Sequence, residues 1–136
     1  MATFPVATRN ELVDFFTAKW EVGAGPATIQ VRSGVKPAAT SDAATGTLLL
    51  TYTLAEPAWG AAVAGVSTLD ATPVITTTGL AAGTATWARC FAPDGSVVCD
   101  VTAGGAGSGA ELLFDNAVIA IGQTVNLNSG STTQPA

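Results

Sequence analysis

The chain has no histidine among its 136 residues, and this absence excludes the most familiar kinds of enzyme site. Histidine is the commonest general base in proteins and the commonest ligand of transition metals. Without it, neither a Ser-His nor a Cys-His nucleophile pair can form. We therefore expect a protein that is not an enzyme and that uses no cofactor.

Other kinds of site are also poorly supplied. Two cysteines are too few for a zinc site, which usually takes about four protein ligands, and the acidic residues are too isolated for a calcium loop. The glycine run at 104–109 lacks the Gly-Lys-Ser/Thr ending of a phosphate-binding loop. One alternative stays open: Asp100, Glu111 and Asp115 could converge as the carboxylates of a glycoside hydrolase, although surface charge is the simpler interpretation.

Charge is scarce throughout the chain. Charged residues make up 11% of the sequence, less than half of the usual share of about a quarter. The five basic residues are scattered, which predicts no direct contact with nucleic acid or with anionic lipid. Either small residues and threonine form an unusually neutral surface, or part of the surface is covered by partners in the working state.

No segment has the pattern of a membrane span or of a secretory signal. The longest apolar stretch, 58–66, has nine residues, about half of what a helix needs to cross a bilayer. The first eight residues have neither a cationic start nor an apolar run. We expect these residues, 1–8, to form an arm that precedes the folded domain.

The segment that follows this arm has the pattern of a helix. Thr8 and Glu11 have capping-box spacing, in which each side chain binds a backbone amide at the helix start. The spacing predicts a helix over residues 9–22. Its apolar residues form one stripe that should lie against a sheet; they are Leu12, Val13, Phe16 and Trp20.

The remainder of the chain has the period-two alternation of β-strands. In the segment 47–54, Leu48, Leu50, Tyr52 and Leu54 share the face predicted to be core, while Leu49 lies on the opposite face. Seven or eight such short segments, separated by glycine and proline turns, predict an antiparallel β-sandwich or jelly roll. We expect one mostly β domain over residues 1–136, with one N-terminal helix and a polar tail at 128–136 that nothing anchors.

The clearest turn in the chain is the run Ala92-Pro93-Asp94-Gly95-Ser96, which predicts a hairpin with a three-residue loop and a bulge. That register sets Phe91 opposite Val97 and Trp87 opposite Val101. Such cross-strand pairs stabilise a sheet.

The same register decides the state of the two cysteines. With the three-residue loop, Cys90 and Cys99 lie on opposite faces of the hairpin and cannot bond. A tight two-residue turn would instead pair Cys90 with Cys99 and Arg89 with Asp100, but Pro93 would then lack the amide that the closing pair needs. We favour free thiols, which fit folding in a reducing cytoplasm, and the second register stays open.

The three tryptophans fall into two groups. Trp20 and Trp87 lie in core-like patterns, whereas Trp59 follows Pro57 in a loop. Trp59 is therefore the candidate interface residue. An aromatic platform for sugars is the alternative interpretation of the three together.

Several segments as a set resemble small virion proteins of tailed bacteriophages, and most closely the capsid cement or decoration proteins. They are residues 25–34, 44–49, 57–61 and 83–87 and the Pro-Asp-Gly hairpin. The resemblance implies a β-sandwich, made in the host bacterial cytoplasm, that sits on the outer surface of the capsid. There it would bridge neighbouring subunits of the major capsid protein as a homodimer on local twofold axes.

No catalytic or ligand residues come with this resemblance. Two other functions stay open on the residues alone. One is a structural subunit of the tail, neck or baseplate, and the other is a carbohydrate- or receptor-binding β-sandwich module.

Overall fold

The computed structural model describes residues 2–135 and is mostly β-structure with one N-terminal helix. Helix α1 spans Val6–Ala18 and continues as a single 3-10 turn, Lys19–Glu21. Eleven strands follow within the described residues: β1 Thr28–Arg32, β2 Leu48–Thr53, β3 Val66–Thr68, β4 Ile75–Thr78, β5 Gly83–Thr84, β6 Trp87–Phe91, β7 Val97–Gly105, β8 Leu112–Phe114, β9 Val118–Ile119, β10 Thr124–Leu127 and β11 Ser131–Thr133.

The strands form one large sheet and three ribbons. The sheet has five strands in the order β2-β1-β6-β7-β8, and the ribbons are β4–β10, β3–β11 and β5–β9. Every pair is antiparallel except β7–β8, which is parallel. The predicted mostly β, sandwich-like fold with one N-terminal helix is confirmed.

The parallel pair departs from the predicted antiparallel arrangement for a local reason. Only three residues of β7 pair with β8. The loop 106–111 between the two strands therefore needs to return the chain over the length of only three residues for β8 to run in the same direction as β7. Thr102 and Glu111 fix this return with reciprocal hydrogen bonds. The Thr102 amide donates to the Glu111 carboxylate at 2.9 Å, and the Glu111 amide donates to the Thr102 hydroxyl at 3.1 Å.

One face of the five-stranded sheet forms the core. Directly opposed residues on neighbouring strands share a face, and the opposed pairs include Ile29 with Tyr52 and Val31 with Leu50. All four side chains are buried. Residues from the helical segment and from the ribbons cover this face and complete the apolar cluster; they include Trp20, Leu69, Ile75, Val125 and Leu127.

Strand β2 confirms most of the predicted face and corrects one residue. Leu50, Tyr52 and Leu54 are buried as predicted. Leu49, predicted on the outer face, is also fully buried. The reason is a bulge, because Val31 opposes Leu50 and the next residue of β1 opposes Leu48, which leaves Leu49 without an opposed residue.

The second face of the sheet buries an ion pair. Arg89 on β6 opposes Asp100 on β7, and the guanidinium donates two hydrogen bonds to the carboxylate at 2.7 and 2.8 Å. These side chains are 6% and 3% exposed. The hydrogen bonds from Arg89 to Asp100 raise the pKa of the arginine above its usual value, so it stays charged.

The long loop 33–47 covers this ion pair. Arg89 also donates to the backbone carbonyl of Asp42 at 2.8 Å, and the Trp87 indole donates to the carbonyl of Ser33 at 3.2 Å. The Thr86 hydroxyl and the Arg32 guanidinium donate to the carbonyls of Gly34 and Gly46, at 2.6 and 3.5 Å. The loop carries no strand of its own, so these side-chain bonds from β1, β6 and Thr86 attach it to the sheet.

The hairpin confirms the predicted loop but corrects the register beyond it. The Ala92 amide donates to the Ser96 carbonyl at 2.9 Å, and Phe91 opposes Val97 as predicted. One further residue of β7, Val98, is then left unopposed at a bulge. The predicted pair of Trp87 with Val101 is therefore wrong, because every later pair is displaced by one residue.

The displaced register is the one that the tight turn was expected to give. Arg89 opposes Asp100, Cys90 opposes Cys99 and Trp87 opposes Thr102. The physical reason is the arginine: a buried guanidinium without a counter-charge costs several kcal/mol (about 3–5). The bulge lets the three-residue loop and the ion pair coexist.

Helix α1 begins three residues before the predicted start at residue 9, so the predicted arm 1–8 is shortened to the residues before Val6. Its N-cap residue is Pro5, and no side chain caps the first turn, so the predicted capping box of Thr8 and Glu11 does not form. The Arg9 amide already bonds the Pro5 carbonyl at 3.0 Å, which places Thr8 inside the helix. Met1, the first residue of that arm, lies outside the described residues.

Polar side chains, not the apolar stripe, set the rotation of this helical segment. Asn10, Asp14 and Glu21 accept hydrogen bonds from three backbone amides in the segment 58–65, at 2.7, 2.8 and 2.7 Å. Residues 10, 14 and 21 fall on one side of a helix. The helix therefore satisfies the backbone donors of a segment that has little regular structure of its own.

This rotation turns part of the predicted apolar stripe away from the core. Val13 and Trp20 are buried as predicted, and Phe16 is partly buried against the core. Leu12, predicted to face the sheet, is 44% exposed, and its neighbour Phe15 is 67% exposed.

The predicted unanchored tail at 128–136 is wrong for its middle part. Ser131–Thr133 forms β11 and pairs antiparallel with β3. The backbone carbonyl of Gly130 also accepts a hydrogen bond from the Leu69 amide at 2.9 Å. A short edge strand such as β3 presents unpaired backbone groups, and a polar segment can satisfy them without apolar side chains. Ala136, the last residue of that tail, lies outside the described residues.

We expect Asp100→Asn to lower the free energy of unfolding by about 3 kcal/mol or more, because it leaves the Arg89 guanidinium buried without a counter-charge. Urea unfolding followed by tryptophan fluorescence measures the change. The matched control is Asp115→Asn, at an exposed position, which should change stability by less than about 0.5 kcal/mol. Equal stability of the two variants would show that the ion pair does not hold the register.

Tyr52 predicts how stability changes with alkaline pH. Burial raises the pKa of this phenol to about 12 from 10.0. The native protein therefore holds a proton that the unfolded chain has lost between these values, so the contribution is complete below pH 10 and decreases as the pH rises towards 12. The loss should be roughly 2–3 kcal/mol.

The chain has a single tyrosine, so the phenolate absorbance of native protein reports this group directly and should titrate near 12. In Tyr52→Phe the same alkaline loss of stability should be absent. This variant should be no less stable than wild type at neutral pH, because the hydroxyl is buried without a hydrogen-bond partner among the described residues. A native titration near the unfolded value would contradict the assignment.

Candidate interaction surface

The few charged groups of this protein are used largely within the fold. At least seven of the ten carboxylates accept hydrogen bonds from the chain itself. These are Asp14, Glu21, Asp42, Asp70, Asp94, Asp100 and Glu111. Five of the seven stay exposed and keep their charge at the surface, whereas the buried pair of Asp100 and Arg89 removes two charges from it.

The clearest exposed apolar surface lies around the β5–β9 ribbon. Leu80, Val118 and Ile121 are 59%, 56% and 72% exposed, and we call these three residues the tip patch. The segments that carry them, 79–84 and 116–123, contain no charged residue. Depletion of charge around exposed apolar side chains is typical of the central part of a protein–protein interface.

Backbone contacts hold the two segments of the tip patch together. The Gly122 amide donates to the Gly79 carbonyl at 2.8 Å, and Gly83 and Thr84 pair with β9. Gly79 is required here, because a Cβ at this position would lie 2.1 Å from the carbonyl oxygen of Ala120. The patch is thus presented by a fixed backbone.

A second exposed apolar surface lies on α1. Leu12 and Phe15 are exposed on the side of the helix that faces away from the core, and we call them the helix patch. The Lys19 ammonium lies 4.7 Å from the centre of the Phe15 ring, a cation–π contact that covers part of this surface.

Trp59, the candidate interface residue of the sequence, does not project from the surface. It is partly buried, and its ring packs edge-on against Trp20 with 5.5 Å between the ring centres. It lines a cleft of about 450 Å³ between the helical segment, the core face of the sheet and the β3–β11 ribbon. Phe16, Leu127 and the two cysteines line the same cleft.

The other two tryptophans are buried, as predicted. Trp20 is 4% exposed within the core cluster, and Trp87 is fully buried on the opposite face of the sheet, beside Arg89. None of the three tryptophans is therefore fully exposed. An aromatic platform for sugars would need such side chains on an open surface, so this arrangement does not supply one.

Two of the three carboxylates considered for hydrolysis are engaged within the fold. Asp100 is paired with Arg89 on the face opposite the core, and Glu111 binds Thr102. Asp115 is exposed and lines a surface cleft together with Glu111. In residues 2–135 no group of three or more histidine, cysteine, aspartate or glutamate side chains is placed to hold a metal ion. Over the same residues, no helix has the length and apolar character that crossing a membrane requires.

The sequence interpretation missed both patches. The one available signal for the tip patch was the absence of charge from two separate segments, 79–84 and 116–123. The sequence does not indicate that these segments lie side by side in the fold. The helix patch was hidden because Leu12 belongs to the stripe that was assigned to the core.

No protein-family model, no curated protein and no solved structure matches this chain.

Proposed function

We propose that this chain is a structural virion protein that binds the outside of a bacteriophage capsid and cements neighbouring subunits of the major capsid protein. The observation that carries the proposal is the tip patch, whose three exposed apolar side chains lie on segments without charge. A surface of this kind is stabilised when another protein covers it. The resemblance of the sequence to capsid cement proteins supports the shell as that partner.

Cementing requires each unit to contact at least two neighbours, and the molecule offers two separate apolar surfaces. We assign the tip patch to the capsid protein and the helix patch to a second copy of the chain. Paired about a twofold axis, two helix patches would bury Phe15 and Leu12 of both copies. The resulting dimer would carry two tip patches, so that modest contacts act together through effective concentration.

Ile121→Ser tests the tip patch. The substitution should leave the fold intact, because the side chain is 72% exposed. It should weaken binding to heads assembled without the protein by about tenfold or more, because it removes an apolar side chain from the centre of the contact. Co-sedimentation with such heads measures the affinity.

The matched control is Val74→Ser, an exposed apolar residue that precedes β4 at the end of the strand away from Gly79. It should bind heads like wild type. Phe15→Ser should convert the dimer into a monomer by analytical ultracentrifugation and leave the affinity of each tip patch unchanged. If both Ile121→Ser and Val74→Ser bind like wild type, the tip patch is not the contact.

The cementing role has its own test. Heads that lack the protein should rupture at a lower temperature than heads that carry it, because shell contacts are missing. When the salt concentration is lowered, they should also rupture earlier, at a salt concentration that heads with the protein still withstand. Rupture under the same conditions with and without the protein would exclude this function. Antibody labelling confined to tails of intact virions would place the chain in the tail, neck or baseplate instead.

A further inference from the structure

The corrected hairpin register places two thiols side by side. Cys90 on β6 and Cys99 on β7 are directly opposed and point to the core face of the sheet. Opposed residues of an antiparallel pair have Cα atoms about 4.5–5.5 Å apart, and a disulfide spans about 4.4–6.8 Å. Both cysteines are free in this structure, so the hairpin presents a reduced pair in a register whose usual geometry suits a disulfide.

The two thiols differ in access. Cys90 is 2% exposed, whereas Cys99 is partly exposed. The neighbouring thiol and burial raise the pKa of Cys90, whereas the neighbouring thiol lowers the pKa of Cys99. A dissolved reagent therefore meets Cys99 first, and Cys99 is also the thiol that ionises more readily.

We propose that Cys90 and Cys99 form a thiol–disulfide exchange site that accepts a small-molecule disulfide of the glutathione type. Its position in the cleft gives Cys99 an open approach, and the opposed thiol supplies the second nucleophile at high effective concentration. This inference stands on the geometry of the hairpin and does not depend on what the tip patch binds.

The exchange proceeds in two balanced steps. The Cys99 thiolate attacks one sulfur of the glutathione disulfide, which forms a mixed disulfide at Cys99 and releases one glutathione thiolate. Cys90 then loses its proton to solvent and attacks the Cys99 sulfur, which forms the Cys90–Cys99 disulfide and releases the second glutathione. The two cysteines are oxidised, and one glutathione disulfide is reduced to two thiols.

The product would link β6 to β7 one residue away from the buried ion pair. The new bond crosses the hairpin where Arg89 and Asp100 already hold the register. Oxidation should therefore need little backbone movement. It should raise the thermal midpoint of the domain, because the crosslink restricts the unfolded chain.

The test incubates folded wild-type protein with oxidised glutathione, blocks remaining thiols with an alkylating reagent and measures the intact mass. We expect a monomer that has lost two hydrogens, carries no glutathione and takes up no alkylating reagent. Its thermal midpoint should exceed that of the reduced protein. Wild type that keeps two free thiols, accumulates a stable glutathione adduct or forms crosslinked dimers would overturn the proposal.

Two single variants separate the roles of the cysteines. Cys90→Ala should stop at the mixed disulfide and keep one glutathione, because no resolving thiol remains. Cys99→Ala should stay unmodified while folded and react only in urea, because Cys90 is buried. Modification of folded Cys99→Ala at the rate of Cys90→Ala would contradict the assigned order. Tryptophan fluorescence confirms folding of each variant before the assay, and the wild-type result decides the proposal even if one variant does not fold.

Discussion

The buried pair of Arg89 and Asp100 is the interaction on which the arrangement of this domain depends. Burying a guanidinium is tolerable only where a carboxylate and further acceptors meet it, and one register of the β6–β7 hairpin supplies both. That register requires a bulge after the three-residue loop. It also brings loop 33–47 onto the sheet through the Asp42 carbonyl and aligns the two cysteines. One electrostatic constraint thus fixes a strand pair, a long loop and the thiol pair.

A second polar constraint positions the helix. Side chains of Asn10, Asp14 and Glu21 satisfy backbone amides of the segment 58–65, which would otherwise be buried without partners. Each of these amides left without a hydrogen bond would cost about 1–3 kcal/mol, comparable to the gain from burying an extra leucine. The helix accordingly turns its polar side to that segment, and Leu12 and Phe15 stay outside. The helix patch is a consequence of this hydrogen-bonding requirement.

The two patches and the engaged carboxylates describe one kind of surface. The buried pair of Arg89 and Asp100 takes two of the few charges away from the exterior, and the surface around the β5–β9 ribbon carries no charge at all in its two segments. Such a surface favours contact with other proteins over open solvent. A rigid backbone around Gly79 limits the entropy lost when that contact forms. These properties suit a protein whose function is to bind other proteins through its surface, as the proposed role on a capsid requires.

The sequence by itself determined the β class, the N-terminal helix, the loop of the hairpin, most of the buried face of β2, and the burial of Trp20 and Trp87. These features follow from local periodicity and turn chemistry, which neighbouring residues encode. Tertiary structure alone decided the bulges at Leu49 and Val98, the rotation of α1, the anchoring of β11, the meeting of the tip-patch segments and the pairing of Cys90 with Cys99. Most of these depend on a partner far away in the chain, since a buried charge or amide is satisfied by whichever group the fold brings near it. The Val98 bulge and the cysteine pair lie within one hairpin, and they depend on the burial of Arg89 under loop 33–47.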